Sequence, residues 1–156
     1  MAGRIAARLK ELGLVLPPAH MPVANYVGWT KAGNEVWVAG VGPTWGQSVR
    51  HQGKLGGSAS MADGVAAARL TALNLLAQVS QAVEGDLDRI ERCLKVFALV
   101  NSTPDFQQAQ VVANGITDLL QEVFGEPGRP ARTAISAPSL PFDITVEADA
   151  VFLIRE

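Results

Sequence analysis

An α+β fold, one mixed sheet with two crossover helices on a single face, is predicted by three observations along this chain of 156 residues. Two β-prone stretches, Tyr26–Lys31 and Glu35–Gly40, flank the turn Ala32-Gly33-Asn34 and read as a hairpin. Two long helical patterns follow, each leading into an apolar or alternating strand. The last stretch, Ile144 to Ile154, sets Ile144, Val146, Ala148 and Ala150 against Thr145, Glu147 and Asp149, so its carboxylates face away from the apolar row.

In chain order, Ile5, Leu9 and Leu12 recur at helical spacing, predicting a short amphipathic helix over 3–12 that packs on the body and ends at Gly13. Pro17, Pro18 and Pro22 then enforce an extended lead-in up to about residue 23. After the hairpin, Val41 to Ser60 is rich in glycine, proline and polar residues and reads as a long loop, a length often tied to function. Ser60 and Asp63 have capping-box spacing and open a helix from Met61 to Val83, with Leu70, Leu73, Leu76, Val79 and Val83 as its buried stripe and Gly85 as its stop. Residues 93–100 are apolar apart from Lys95 and predict a central strand. Ser102 or Thr103 before Pro104 reads as the cap of a second helix running to about Phe124, and Ala131–Ala137 is the next strand. Val151 and Leu153 continue the Glu147 row, so the sheet's second face is only partly polar and calls for a partner copy.

Composition narrows the function classes. Hydrophobic residues make up 48% and charged residues 18%, which describes a globular chain, expected to form one domain over 1–156 with its core in 24–156. A net charge of −2 provides no general field for a phosphate backbone, so nucleic acid is a disfavoured partner. One cysteine, Cys93, and two distant histidines, His20 and His51, give no disulfide and no metal-ligand cluster. No run approaches the roughly 20 apolar residues of a membrane span, and the first dozen residues lack a signal-type apolar block, so a cytoplasmic location is expected.

The C-terminal third carries a more specific signal. Phe124-Gly-Glu-Pro, Arg129-Pro-Ala-Arg132-Thr-Ala, Ala137-Pro-Ser-Leu-Pro141 and Val146-Glu-Ala-Asp-Ala150 together resemble the signature of the RidA/YjgF family, also called L-PSP endoribonuclease-like. With Tyr26 ahead of Ala32-Gly-Asn34 and Val38-Ala-Gly40, the resemblance spans roughly residues 24 to 154. It implies a homotrimer of chorismate-mutase-like (bacterial type) fold with ligand clefts between subunits. It also implies hydrolysis of reactive enamine or imine acids to 2-oxo acids and ammonia, as by a 2-iminobutanoate/2-iminopropanoate deaminase, without metal or organic cofactor. On that resemblance Arg132 is the carboxylate clamp, Glu147 the polar group beside the attacking water, and Tyr26 a wall of the cleft. A guanidinium suits the role, because its planar paired donors match a carboxylate and it stays charged when partly buried. Two positions depart from the active pattern: Ala134 stands where a cysteine is usual and Ala39 where a serine is usual. The stretch Asn114-Gly-Ile-Thr-Asp-Leu-Leu, in a longer second helix, resembles a less characterised branch, in which Asn114 turns to the cleft.

Each candidate has a plainer alternative. Arg132 can simply pair with Glu147 or Asp149 on a neighbouring strand, and Glu147 can be a solvated carboxylate of ordinary pKa. Tyr26 can be a sheet-edge aromatic, Asn114 an exposed helix residue, and Trp29 and Trp37 core or subunit-contact residues. Lys54 and His51, in a glycine-rich loop without P-loop spacing, either receive an anion or solubilise a mobile segment. Cys93 reads as a small buried hydrophobe. Three functions follow: the deaminase, a non-catalytic trimeric binder of small carboxylic acids favoured by Ala39 and Ala134, and a ribonuclease, which the acidic balance and the lack of a histidine pair disfavour.

Overall fold

The computed structural model describes residues 3–156; the first two residues of the N-terminal segment lie outside it. Helices α1 (Arg4–Glu11), α2 (Met61–Ala82) and α3 (Ala109–Phe124) accompany strands β1 (Trp29–Ala32), β2 (Glu35–Val41), β3 (Thr44–Trp45), β4 (Ser48–Val49), β5 (Ile90–Asn101), β6 (Ala131–Ala137) and β7 (Val146–Ile154). The main sheet runs β1-β2-β7-β5-β6, antiparallel throughout except for the parallel β5–β6 pair, which the α3 crossover makes possible. α2 packs over β2 and β7, and α3 over β5 and β6, so both crossover helices lie on one face as the α+β reading requires.

That face carries the core. Val96, Ala98 and Val100 of β5, Val146, Ala148, Ala150 and Phe152 of β7, and Val36 and Val38 of β2 meet the helices and are buried. Burying side chains of this size stabilises by roughly 1.5–3 kcal/mol each. α2 begins as predicted: the Ser60 hydroxyl accepts from the Asp63 amide at 3.1 Å, and the Asp63 carboxylate accepts from the Ser60 amide at 2.9 Å. Its deepest stripe is not centred where the pattern put it. Ala68, Ala72, Leu75, Leu76, Val79 and Val83 are buried, while Leu70 and Leu73 are only partly so, because the lead-in and β3 also cover this helix. Those irregular segments are held by buried amides: Asn74 Nδ2 donates to Thr44 O at 2.7 Å, and Gln78 Nε2 to His20 O at 2.7 Å. α1 packs through Ile5 and Leu9, and its N-terminus sits on the Asp88 carboxylate, which accepts from the amides of Arg4 and Ile5 at 2.8 Å each.

Several boundaries differ from expectation. The second helix starts at Ala109, not after Ser102: the Thr103 hydroxyl turns to the Asp105 carboxylate at 2.7 Å and the Phe106 amide returns to Thr103 O, closing a turn around Pro104 instead of capping a helix. The loop 41–60 contains the small β3–β4 hairpin. β5 begins three residues before the predicted strand, and β7 two residues after Ile144, behind a single turn in which Phe142 and Asp143 both have positive φ, 58° and 56°. Lys54 is neither a free cation nor a solubilising group. Its ammonium is bonded to Asn101 Oδ1 at 2.8 Å and to Pro138 O, and Asn101 Nδ2 in turn reaches Asp143 Oδ1 at 2.9 Å, so these side chains clasp the 138–144 loop.

Candidate functional site

Arg132 lies on β6, the edge strand, opposite Val96, and so points to the helix-covered face at the sheet's rim. There α3 supplies only oxygen acceptors. Arg132 Nη1 donates to Asn114 Oδ1 at 2.8 Å and to Thr117 Oγ1 at 3.2 Å, and Nη2 donates to Gln110 O at 3.2 Å. Neither Glu147 nor Asp149 pairs with it, and among the described residues no carboxylate bonds it. A guanidinium has five N–H donors; three are engaged here, leaving Nε–H and one Nη2–H for an outside acceptor. The hollow it borders, about 330 Å³, is also lined by Asn114, Thr117 and Arg129. Asn114 is exposed, and its amide oxygen orients the arginine.

Glu147 occupies the other face. It pairs with Leu99 on the side of β7 that carries no helix, half-buried, and burial pushes its carboxyl above the usual carboxylate range, with the neighbouring Asp149 charge adding to the shift. The plainer reading of a fully solvated acid of ordinary pKa therefore does not hold. Beneath it, β2 carries a bulge: Val38 pairs with Ala150 but Val41 with Ala148, which leaves Ala39 and Gly40 to span one step of β7. Gly40 is the residue that lets the carboxylate in, since a Cβ there would lie 2.9 Å from Glu147 Oε1. Glu147 and Tyr26 line one pocket of about 280 Å³, with His20, Gly40 and Phe142 among its other walls. Tyr26 is half-exposed at this wall.

Arg132 and Asn114 are therefore together, Glu147 and Tyr26 are together, and within one copy the two groups are apart, on opposite faces with β5 between their strands. Ala39 sits beside Trp29 and Trp37 in a shallow hollow instead of touching Glu147's pocket, and Ala134 packs against the core. Trp29 is partly buried against the core, whereas Trp37 is 52% exposed on the open face. Cys93 is fully buried and desolvation pushes its thiol up to about 12, so it is inert packing. Sequence reasoning missed Thr117, Gly40, His20 and Phe142. A glycine inside a strand was the available signal for Gly40; the others depend on contacts distant in sequence.

The family model described as "YjgF/chorismate_mutase-like, putative endoribonuclease" matches residues 6–154. The chain belongs to this family. Protein TCP17 of Trypanosoma cruzi is 44% identical over 151 residues, covering 96% of this chain and 94% of that one. Among solved structures, Atu1372 of Agrobacterium tumefaciens, a protein of unknown function, superimposes with a TM-score of 0.91 at 43% identity, covering 97% of this chain and 93% of its own. A Shewanella oneidensis protein described as a "putative endoribonuclease" gives a TM-score of 0.91 at 29% identity, over 96% of this chain and 99% of that one. Escherichia coli TdcF, solved with bound serine, shares the fold at a TM-score of 0.57 and 23% identity, over 88% and 94%. Among the described residues no group of three or more metal-ligating side chains gathers, and no helix is long and apolar enough to cross a membrane.

Proposed function

We infer that this protein hydrolyses small reactive enamine or imine acids to 2-oxo acids and ammonia, in a cleft completed by a second copy of the chain. The observation that carries the reading is the Arg132 guanidinium, fixed by three neutral oxygens and bonded to no carboxylate among the described residues, at the mouth of a hollow that Asp118 also lines. A carboxylate is the complementary ligand, and two parallel charge-assisted bonds are the favoured geometry. Glu147 supplies proton handling from the other half. A carboxyl whose pKa is raised by burial is better placed than an ordinary one to give a proton to an enamine carbon, forming the iminium. Its carboxylate then accepts a proton from the attacking water as oxygen bonds to the iminium carbon; the carbinolamine releases ammonia, and the C=O of the 2-oxo acid forms. Such intermediates decay in water unaided, so orientation and charge complementarity are sufficient work for the site.

The partner copy is expected to be one of three. The helix-free face presents Trp37 and Ile135, 52% and 45% exposed, beside Phe97, Leu99 and Leu153, an apolar surface suited to a partner copy, which on this reading sets its edge strand against the Glu147 half. Light scattering that gives the mass of one chain would remove the shared cleft.

The decisive assay generates 2-aminoacrylate in situ and follows ammonia release. Wild-type protein is expected to accelerate it and Arg132→Ala to abolish the acceleration; equal rates with and without wild-type protein would refute the assignment. A non-catalytic binder of small carboxylic acids is the second reading, supported by the apolar Ala39 and Ala134 where active members carry polar groups. Saturable, Arg132-dependent binding of 2-oxobutanoate without turnover would select it.

A further inference from the structure

The pocket that Glu147 shares with Tyr26 has a third polar group delivered by the N-terminal lead-in, His20. Two independent clasps hold that segment in place: Gln78, buried on α2, donates to His20 O at 2.7 Å, and the Gln47 side chain accepts from the Met21 amide at 3.0 Å while donating to Met21 O at 3.3 Å. The His20 ring is fixed as well. Its Nδ1 lies 3.2 Å from Gly46 O, and because a carbonyl only accepts, the contact assigns a proton to Nδ1 and selects the tautomer whose lone pair is on Nε2. Among the described residues Nε2 has no hydrogen-bond partner.

The remaining polar lining side chains separate into two kinds. Thr44 is occupied by Asn74 and Gln47 by Met21, so both serve the fold. His20 Nε2, the Glu147 carboxylate and the Tyr26 hydroxyl have no partner among the described residues, and Glu147 is the only lining side chain with a formal charge. Two acceptors and one negative charge in a space of about 280 Å³ suit a small cationic N–H donor.

We propose that His20 is a specificity-determining ligand contact, its Nε2 accepting a hydrogen bond from the ammonium or iminium nitrogen of a small α-amino or α-imino acid. It rests on the reading of the Glu147 pocket as half of the site, and assigns that half to the nitrogen end of the ligand, the Arg132 half taking the carboxylate. Enamine and imine substrates are thereby distinguished from their 2-oxo products, which offer no N–H and leave the cleft without this bond.

L-2-aminobutanoate and 2-oxobutanoate, which differ only in ammonium against carbonyl, make the test, with binding followed by calorimetry on the full chain. His20→Phe is expected to weaken the amino acid about tenfold, the effect of a lost charge-assisted bond, and to leave the 2-oxo acid within twofold. His20→Gln, whose amide can donate to Gly46 O and still offer an acceptor, is expected to recover most of the amino-acid affinity. Equal losses for both ligands, or no loss for either, overturn the proposal. Amino-acid binding that needs His20 but survives Arg132→Ala sustains it while refuting the carboxylate clamp; wild-type protein that binds neither ligand refutes both.

Discussion

Gly115→Ala tests the claim that α3 holds Arg132 because α3 is seated closely on α2. An alanine Cβ at this position would lie 2.6 Å from Val65 O and 2.8 Å from the Ala68 Cβ, where ordinary contact begins at 3.4 Å. The nearest obstacle is backbone, which no rotamer change relieves, so α3 must lift away from α2. The Arg69–Glu122 pair across the same interface, two bonds of 3.0 Å, resists that movement only weakly because both side chains are more than a third exposed. Overpacking of a rigid contact costs about 2–3 kcal/mol, the upper part of its usual range. Replacing a helical glycine by alanine returns roughly 1 kcal/mol. The net expectation is a loss of about 1–2 kcal/mol, read as a melting temperature lower by about 2–8 °C for a chain of this length. Because Asn114 and Thr117 flank the altered residue and hold Arg132, affinity for 2-oxobutanoate falls with it. A calorimetric melting temperature equal to or above that of the wild type would refute the close-seating argument, since the propensity gain would then be unopposed.

The other predictions follow from single contacts. Asp88→Ala removes the acceptor of the first α1 amides and costs about 1 kcal/mol, measured as roughly fivefold faster amide exchange over Ile5–Leu12; unchanged protection would show that α1 is held by packing alone. These amide bonds hold the Asp88 carboxyl below its ordinary value, so the stabilisation is complete above the unfolded carboxyl pKa, about 3.9, and is lost as pH falls through the lower folded value. Glu147 has the opposite sign: its folded pKa is raised, so the charged form costs stability as pH rises through that value. Glu147→Gln should therefore melt about 1–2 °C higher at neutral pH, with the difference vanishing below the unfolded value near 4.3; a variant less stable at pH 7 contradicts the burial argument. Cys93 should resist iodoacetamide at pH 8 until the protein is denatured, and stoichiometric labelling of the native state would show that β5 opens readily.

The parts of the fold legible in the sequence are those whose signals are local. α2 announced itself through Ser60 and Asp63, whose reciprocal bonds are made within four residues, and β7 through its apolar alternation. α3 was misplaced at its start for the same reason: Thr103-Pro104 has the composition of a cap, but its hydroxyl found Asp105 first, and Gln108, which does precede the helix, makes no side-chain cap at all. In the site, Arg132, Glu147 and Asn114 could be named from motifs, whereas the other acceptors of Arg132, Thr117 Oγ1 and Gln110 O, could not, lying 15 and 22 residues away on another element. His20 carried no signal because everything that makes it notable, Gly46 O and Gln78, is joined to it only by folding.

The placement of the two candidate halves has a cause in the sheet order. β7 is interior and must bury one row of side chains under the helices, so its acid row has no choice but the open face; β6 is the edge, where α3 covers incompletely and a long cation can reach the rim from the covered side. Register puts Arg132 level with Val96 and Glu147 level with Leu99, and successive residues of a strand point to opposite faces, so no rotamer brings the two side chains together within one copy. A ligand small enough for a hollow of about 280 Å³ or 330 Å³ touches one half or the other unless a second copy supplies the missing wall. Assembly is then not an addition to the proposed chemistry but its precondition, and the exposed apolar face that would drive assembly is the same face that holds Glu147.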